Sequence, residues 1–181
     1  NPRHVLQLGY IVMAGSLLLM YSSISEDGVG IGMYIGFFLV GVGSGISSSH
    51  TNNVVALALS DKDAAQSGGV QTTMRNVGQA IGVAALGAVL LFGITSNINA
   101  AMEADPDITP TVREAVSQRS ITLMSDESFL STISDIDMTE QEKADLVAIN
   151  SKARVDASKT AFIVAAVIMA AGLLTTPFIT V

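Results

Sequence analysis

The stretch GVGSGISSSHTNNVVALALSDKDAAQSGGVQTTMRNVGQAIGVAALG, residues 41–87, decides the fold class of this chain. It holds two apolar segments rich in glycine and alanine, with the charged residues Asp61, Lys62 and Asp63 between them. Glycine weakens a helix in water, whereas in lipid small residues let two helix backbones approach closely. The stretch therefore predicts two neighbouring helices that cross a membrane.

The composition of the chain is that of a membrane protein with one aqueous segment. Of the 181 residues 49% are hydrophobic and 14% are charged, and the mean hydropathy is +0.51. Twelve of the 16 acidic residues lie between Glu103 and Asp156, so the net charge of -7 belongs mostly to that segment. An acidic chain of this kind argues against nucleic acid as a partner. With no Cys and two His, it also disfavours a disulfide or a metal site.

Four apolar segments are near or above the ~20 residues that cross ~30 Å of hydrocarbon. We therefore predict an all-α, polytopic membrane protein that has the lipid bilayer as a partner. Its four transmembrane helices form two hairpins, with turns at residues 23–28 and 60–68. The predicted helices cover about residues 3–22, 29–59, 69–95 and 159–176.

Charge sets the predicted orientation, because short cytoplasmic loops are rich in Lys and Arg. Arg3, Lys62 and Arg75 lie on one side, and the turn at residues 23–28 has no basic residue. We therefore place the first side in the cytoplasm of a bacterial inner (plasma) membrane, and the acidic loop on the external or periplasmic side. The predicted division is residues 1–96 with three membrane helices, 97–158 as the loop, and 159–181 with the last helix.

The acidic loop contains helix signals of its own. Thr109 followed by Pro110 predicts one helix start, and Thr139 with Glu142 forms a capping box before another. Because long unstructured loops are uncommon, we expect two or three short helices, the last continuing into the membrane. The loop is interpreted as a solvated surface, with a cation-collecting vestibule as the alternative.

A polar stripe on the second apolar segment is the predicted substrate cavity wall. At helical spacing, Phe37, Ser44, Ser48 and Asn52 share one face, so an aromatic ring, two hydroxyls and an amide lie along a spanning helix. Hydrogen bonding to another helix explains the same residues, and both interpretations remain open.

Two basic residues are the predicted gating or proton-coupling groups. His50 belongs to the residue type that titrates near neutral pH, although a structural hydrogen bond explains a single His as well. Arg75 lies about two turns inside the third segment, where none of the four segments offers an acidic residue at depth. It therefore needs a partner in a gating contact or a lipid phosphate.

Glycines four residues apart predict close helix packing. Enzyme signatures are missing: in GVGSGI the third glycine of a dinucleotide fingerprint is Ile46, and no strand precedes it. We therefore predict no catalytic residues and no cofactor. The predicted packing pairs are Gly32 with Gly36, Gly41 with Gly45, and Gly78 with Gly82.

The sequence resembles the C-terminal end of the fourteen-helix drug:proton antiporter branch of the major facilitator superfamily. The resemblance lies in GVGSG at 41–45, DKDAAQSGGVQTTMRNVGQAIGVAALGAVL at 61–90, PRHVLQLG at 2–9 and the long loop before the last helix. It implies that these are helices eleven to fourteen. The second would line the cavity, the third would join the two halves, and the first and fourth would be peripheral.

The resemblance favours a part of a proton-coupled multidrug efflux transporter. Its expected partners are protons, small apolar or cationic drug-like substrates, and the remaining helices of a longer chain. The first residue is Asn rather than Met, which agrees with an excised piece. The alternative is a free-standing four-helix membrane assembly or interaction subunit without transport activity.

Overall fold

The structure is a computed structural model that describes residues 2–58, 61–119 and 121–178, with side chains for 3–51, 67–119 and 121–177. In these ranges the fold is all-α apart from one short β-ribbon. Four helices, α1, α2, α3 and α6, are long and apolar enough to cross a membrane. The elements are α1 (Pro2–Ser22), β1 (Ile24–Ser25), β2 (Gly28–Val29), α2 (Ile31–Ala58), α3 (Asp61–Ala104), α4 (Pro110–Ser117), α5 (Asp126–Thr132), α6 (Glu140–Thr175) and a 3-10 turn (Thr176–Phe178).

The connection between α1 and α2 is tighter than a simple turn. Ile24 pairs with Val29 and Ser25 with Gly28 in an antiparallel ribbon. Gly28 has a φ of 129°, which L side chains rarely adopt, so the ribbon requires glycine at this position. The ribbon therefore fixes where α1 ends and α2 begins.

The third helix is longer than the sequence predicted at both ends. The prediction of a turn at residues 60–68 is wrong from Asp61 onward, where α3 begins, because acidic residues are favourable in a first helical turn. The predicted end at Thr95 is also wrong, since α3 continues to Ala104. This extension is stabilised by Ile94, Ile98 and Met102, which repeat every four residues and are at most 1% exposed.

The last helix begins at the predicted capping box. Thr139 and Glu142 exchange hydrogen bonds, in which the Thr139 amide donates to Glu142 Oε2 over 2.9 Å and the Glu142 amide donates to Thr139 Oγ1 over 3.2 Å. From there α6 runs without a break to Thr175, as expected for a loop helix that continues into the last apolar segment, so the helix begins before the predicted boundary at residue 159. Leu146, Ala153 and Ala157 are buried along its first half, and this row explains why charged residues do not interrupt it.

The chain divides into two compact units, Asn1–Leu86 with Phe162–Val181, and Gly87–Ala161. In the first unit α1 packs on α2 and also contacts the C-terminal end of the chain. Gln7 Nε2 donates a hydrogen bond to Thr176 Oγ1 over 3.1 Å. A β-carbon built on Gly172 would lie 2.8 Å from the Tyr10 ring, so α6 approaches α1 closely there.

The second unit, Gly87–Ala161, has a hydrophobic core of its own, and we call it the acidic unit. Phe129 of α5 and Val116 of α4 are fully buried at 0% exposure, against α3 and α6. Two or three short helices were predicted in this segment. The structure has two, α4 and α5, which pack beside the last part of α3 and the first part of α6. The remaining buried core residues are Ile94, Ile98, Met102, Ile108, Val112, Ile133, Leu146, Ala153 and Ala157.

Candidate functional site

The predicted cavity residues lie on the face of α2 that is turned away from α1. Phe37 is 62% exposed, Ser44 is exposed and Ser48 is half-buried. At about 100° per residue, these positions lie roughly 130° around the helix from the glycines that contact α1. Asn52 completes the predicted stripe, but its side chain lies outside the described residues. The described part of the stripe is therefore exposed at Phe37 and Ser44 and partly covered at Ser48.

The opposite face of α2 packs against α1 through glycines. A β-carbon on Gly32 would collide with Ser23 Oγ, and one on Gly36 would collide with Met20. A β-carbon on Gly43 would lie 2.9 Å from the carbonyl oxygen of Gly9. Gly32 and Gly36 thus lie where a packing role requires them, at the interface with α1.

A close contact between glycines of α1 and α2 was not predicted from the sequence. The predicted pairs are glycines four residues apart within one helix, whereas the observed contact joins Gly9 of α1 to Gly43 of α2. The sequence feature that could have predicted this contact is the seven-residue spacing from Gly36 to Gly43. Seven residues are about two helical turns, so both glycines lie on the same face of α2. Ser47, one turn further on, has a buried hydroxyl without a hydrogen-bond partner.

Two of the predicted glycine pairs are on open surfaces. Among the described residues, no atom outside the glycine's own helical turn lies within 4 Å of a β-carbon built on Gly41, Gly45, Gly78 or Gly82. Their helix-packing role therefore stays a prediction that needs a partner surface.

The two basic candidates occupy different surroundings. His50 is half-buried near the end of α2, whereas Arg75 is exposed on α3. Arg75 forms no ion pair with a described residue. The apolar side chains around it are also uncovered, and Met74 is 64% exposed. Proton coupling or gating by these residues stays a prediction.

The acidic unit contains a carboxylate that sequence reasoning recognised only in part. Glu142 is 4% exposed, and its Oε1 accepts hydrogen bonds from the Thr109 amide and hydroxyl over 3.1 and 2.8 Å. Its Oε2 accepts from the Thr139 amide and hydroxyl over 2.9 and 3.0 Å. These bonds, first the one from the Thr139 amide and then those from Thr109, lower the pKa of Glu142 to about 2. Glu142 therefore holds the starts of α4 and α6 together as a carboxylate, 17 residues before Lys159 and the apolar part of α6.

A second polar cluster fixes α5 to α6. Asp126 Oδ1 accepts hydrogen bonds from Asn150 Nδ2 over 2.8 Å and from Arg154 over 2.9 Å. Arg154 also donates to the Met124 carbonyl over 3.2 Å. Nothing in the sequence pattern marks this cluster, because its members are 24 and 28 residues apart.

A further ion pair in the acidic unit joins Arg119 to Asp135. Arg119 Nη2 lies 2.6 Å from Asp135 Oδ2, and this hydrogen bond lowers the pKa of Asp135. Both side chains are well exposed, so the pair contributes little to stability. Among the described side chains, no three His, Cys, Asp or Glu residues lie close enough to hold a metal ion. Of the described acidic side chains, Glu142 and Asp126 join one helix to another.

Comparison of the chain with models of protein families, with curated proteins and with solved structures finds no match.

Proposed function

We propose that this chain is the C-terminal four-helix part of a proton-coupled multidrug efflux transporter of the major facilitator superfamily. In this proposal α2 contributes a wall of the substrate cavity, and α3 contributes a gating surface. The observation that supports it best is the polar and aromatic stripe on an apolar helix, where Phe37 and Ser44 are exposed and Ser48 is half-buried. The sequence resemblance supplies the family.

The chemistry of the stripe fits a drug-binding wall. A serine hydroxyl that faces hydrocarbon can donate only to a carbonyl of its own helix, as Ser22 does to Leu19, whereas in a cavity Ser44 would also bond to water or to a substrate. Phe37 lies two turns earlier on the same face, and an aromatic ring attracts apolar or cationic ligands. A water-filled cavity satisfies the hydroxyls and lets drug-like molecules reach the ring.

A common boundary on α3 and α6 supports the proposed membrane placement. Gly93 and Ala157 are in contact. On α3 the apolar run gives way to polar residues just after Ile94, and on α6 it begins just after Lys159. Both helices thus change composition at one level, as two helices leaving the same bilayer face would. We place the rest of the acidic unit on the external side, and we pair the four long helices as two hairpins.

The uncovered surface of α3 supports a place inside a larger bundle. Between Val70 and Phe92 most of its apolar side chains are exposed, among them Val83 at 75%. Gly78 and Gly82 would receive the remaining helices of the transporter, as small residues do at membrane helix interfaces. The alternative function, an assembly subunit, uses the same pair to bind a partner protein. An upstream reading frame with ten further apolar segments favours the transporter, and a start codon directly before Asn1 favours the subunit.

We predict that a cysteine at Ser44 is reached from water, whereas one at Val42 is not. Charged thiosulfonates react with thiolates, which require water, and this chain contains no other Cys. Val42 is 39% exposed and lies at the same depth, but about 160° around the helix from Ser44. In intact membranes, the thiosulfonate should react with Ser44→Cys on the order of tenfold faster than with Val42→Cys. A transported drug should slow the reaction at Ser44→Cys. Equal reaction rates at the two positions would contradict a water-filled cavity beside Ser44.

We predict that Arg75→Ala lowers drug efflux roughly tenfold while membrane insertion is kept, because a gating contact uses the guanidinium. Drug accumulation in expressing cells measures the effect. Gln79→Ala is the matched control, since Gln79 is an exposed polar residue one turn away on α3. Arg75→Lys distinguishes a gating contact from a contact with lipid phosphate. A lysine can still bind lipid phosphate and would keep efflux, but it cannot form a bidentate gating contact and would lose efflux. Normal efflux by Arg75→Ala would exclude an essential role.

A further inference from the structure

The ends of α3 and α6 in the acidic unit cross at one point of very close approach. A β-carbon built on Gly93 would lie 3.2 Å from the Cβ of Ala157 and 3.5 Å from its Cα. Backbones approach this closely only where small residues face each other. Ala157 is fully buried at 0% exposure, and Ile94 beside Gly93 is buried to the same extent. The crossing therefore belongs to the core of the unit.

Helix α4 fastens the same two helices from one side. Its first turn is joined to α6 by the hydrogen bonds from Thr109 to Glu142. Its last residue, Ser117, lies beside α3: Ser117 Oγ is 3.4 Å from Asn99 Oδ1, although its shorter hydrogen bond, of 2.8 Å, goes to the Arg113 carbonyl oxygen. A sliding movement of α3 along α6 would break one of these connections, or would pull α4 out of the core.

Helix α5 is itself joined to α6, through Asp126 and the side chains of Asn150 and Arg154. Asn150 is fully buried, so separating it from Asp126 would leave an amide donor without a partner in the core. Phe129 of the same helix is also fully buried. Opening the unit would expose this ring, and well-packed cores resist such changes.

We propose that the crossing of α3 and α6 at Gly93 and Ala157 is a fixed joint, so that Gly87–Ala161 keeps one conformation throughout the transport cycle. This inference rests on the proposed transport function, because alternating access requires some parts of the protein to rock against others. A fixed joint confines those movements to residues outside the acidic unit.

A disulfide across the crossing tests the joint in the complete protein. The built Cβ to Cβ distance of 3.2 Å is near the about 3.5–4.5 Å found in disulfides. The variant Gly93→Cys with Ala157→Cys is oxidised in membranes, and the bond is detected by mass spectrometry of the linked peptides. The matched control is Phe92→Cys with Ala157→Cys, because Phe92 is 77% exposed and lies about 100° around α3 from Gly93.

The expected result is a disulfide in the Gly93 variant alone, with drug efflux within about twofold of the reduced protein. Loss of efflux on oxidation that returns on reduction would overturn the joint, and so would failure of the disulfide to form. If the unmodified protein exports no drug, the transport function fails and the joint is judged by amide hydrogen exchange in lipid nanodiscs. Slow exchange at Ile98 and Leu146 supports it, and rapid exchange there contradicts it.

Discussion

Replacing Glu142 with alanine is expected to release the starts of α4 and α6 together. The carboxylate accepts four hydrogen bonds, two from Thr109 and two from Thr139, and alanine accepts none. Helix N-termini depend on such acceptors, because their first amides have no partner within the helix. In the chain embedded in lipid nanodiscs, we expect amide hydrogen exchange at Thr109 and Thr139 to become roughly tenfold faster or more.

The matched control for this change is Glu140→Ala. Glu140 is in the same first turn of α6 and carries the same charge, but its side chain is 92% exposed and lies 3.8 Å from Lys143. Such an exposed ion pair contributes little to the free energy of unfolding. If Glu140→Ala accelerates exchange at Thr109 as much as Glu142→Ala does, the effect comes from charge alone and the joining role of Glu142 is wrong.

The same hydrogen bonds predict how the acidic unit responds to acid. In the unfolded chain Glu142 binds its proton near its ordinary pKa of 4.5, and in the folded chain only near a pKa of about 2. Between these values the unfolded state holds more protons, so falling pH favours unfolding. The contribution of Glu142 is therefore complete above about pH 4.5 and is lost progressively toward pH 2. Glu142→Gln should remove this part of the pH dependence, as measured by exchange at Thr109.

The features that were predictable from the sequence are those set by neighbouring residues. The start of α4 follows from Thr109 and Pro110, and that of α6 follows from Thr139, because each signal lies within one helical turn. The four apolar helices followed from composition. Helix ends were less predictable, since α3 passes Thr95 only because the acidic unit covers Ile98 and Met102.

The candidate site was predictable only as a helical face. Spacing alone places Phe37, Ser44 and Ser48 on one side of α2, and the structure leaves Phe37 and Ser44 exposed there and Ser48 half-buried. The packing of α1 on the glycine side of α2 depends on contacts between residues that are far apart in the sequence, such as Gly9 and Gly43. Glu142 and Thr109 are 33 residues apart, so their bond follows from how the helices pack, which no local pattern encodes.

Gly43 offers the sharpest test of how α1 and α2 pack. A β-carbon there would lie 2.7 Å from Met13 Cγ and 2.9 Å from the Gly9 carbonyl oxygen. A flexible methionine moves aside easily, but a backbone oxygen does not, so Gly43→Val must push α1 and α2 apart. We expect a loss of about 1–3 kcal/mol in the free energy of unfolding, the usual cost of overpacking. Titration with SDS in mixed micelles, followed by circular dichroism, measures it.

Gly41→Val separates this contact from the general effect of replacing a glycine in a helix. Gly41 is two residues away on the same helix, and nothing lies within 4 Å of a β-carbon built there. Valine is a slightly better helix former than glycine, so the intrinsic change is small and equal at both positions. A large loss at Gly43 and little change at Gly41 would show that α1 lies on the Gly43 side of α2. Equal losses would mean that α1 does not pack there, and the stripe of Ser44 and Ser48 would no longer be the uncovered face.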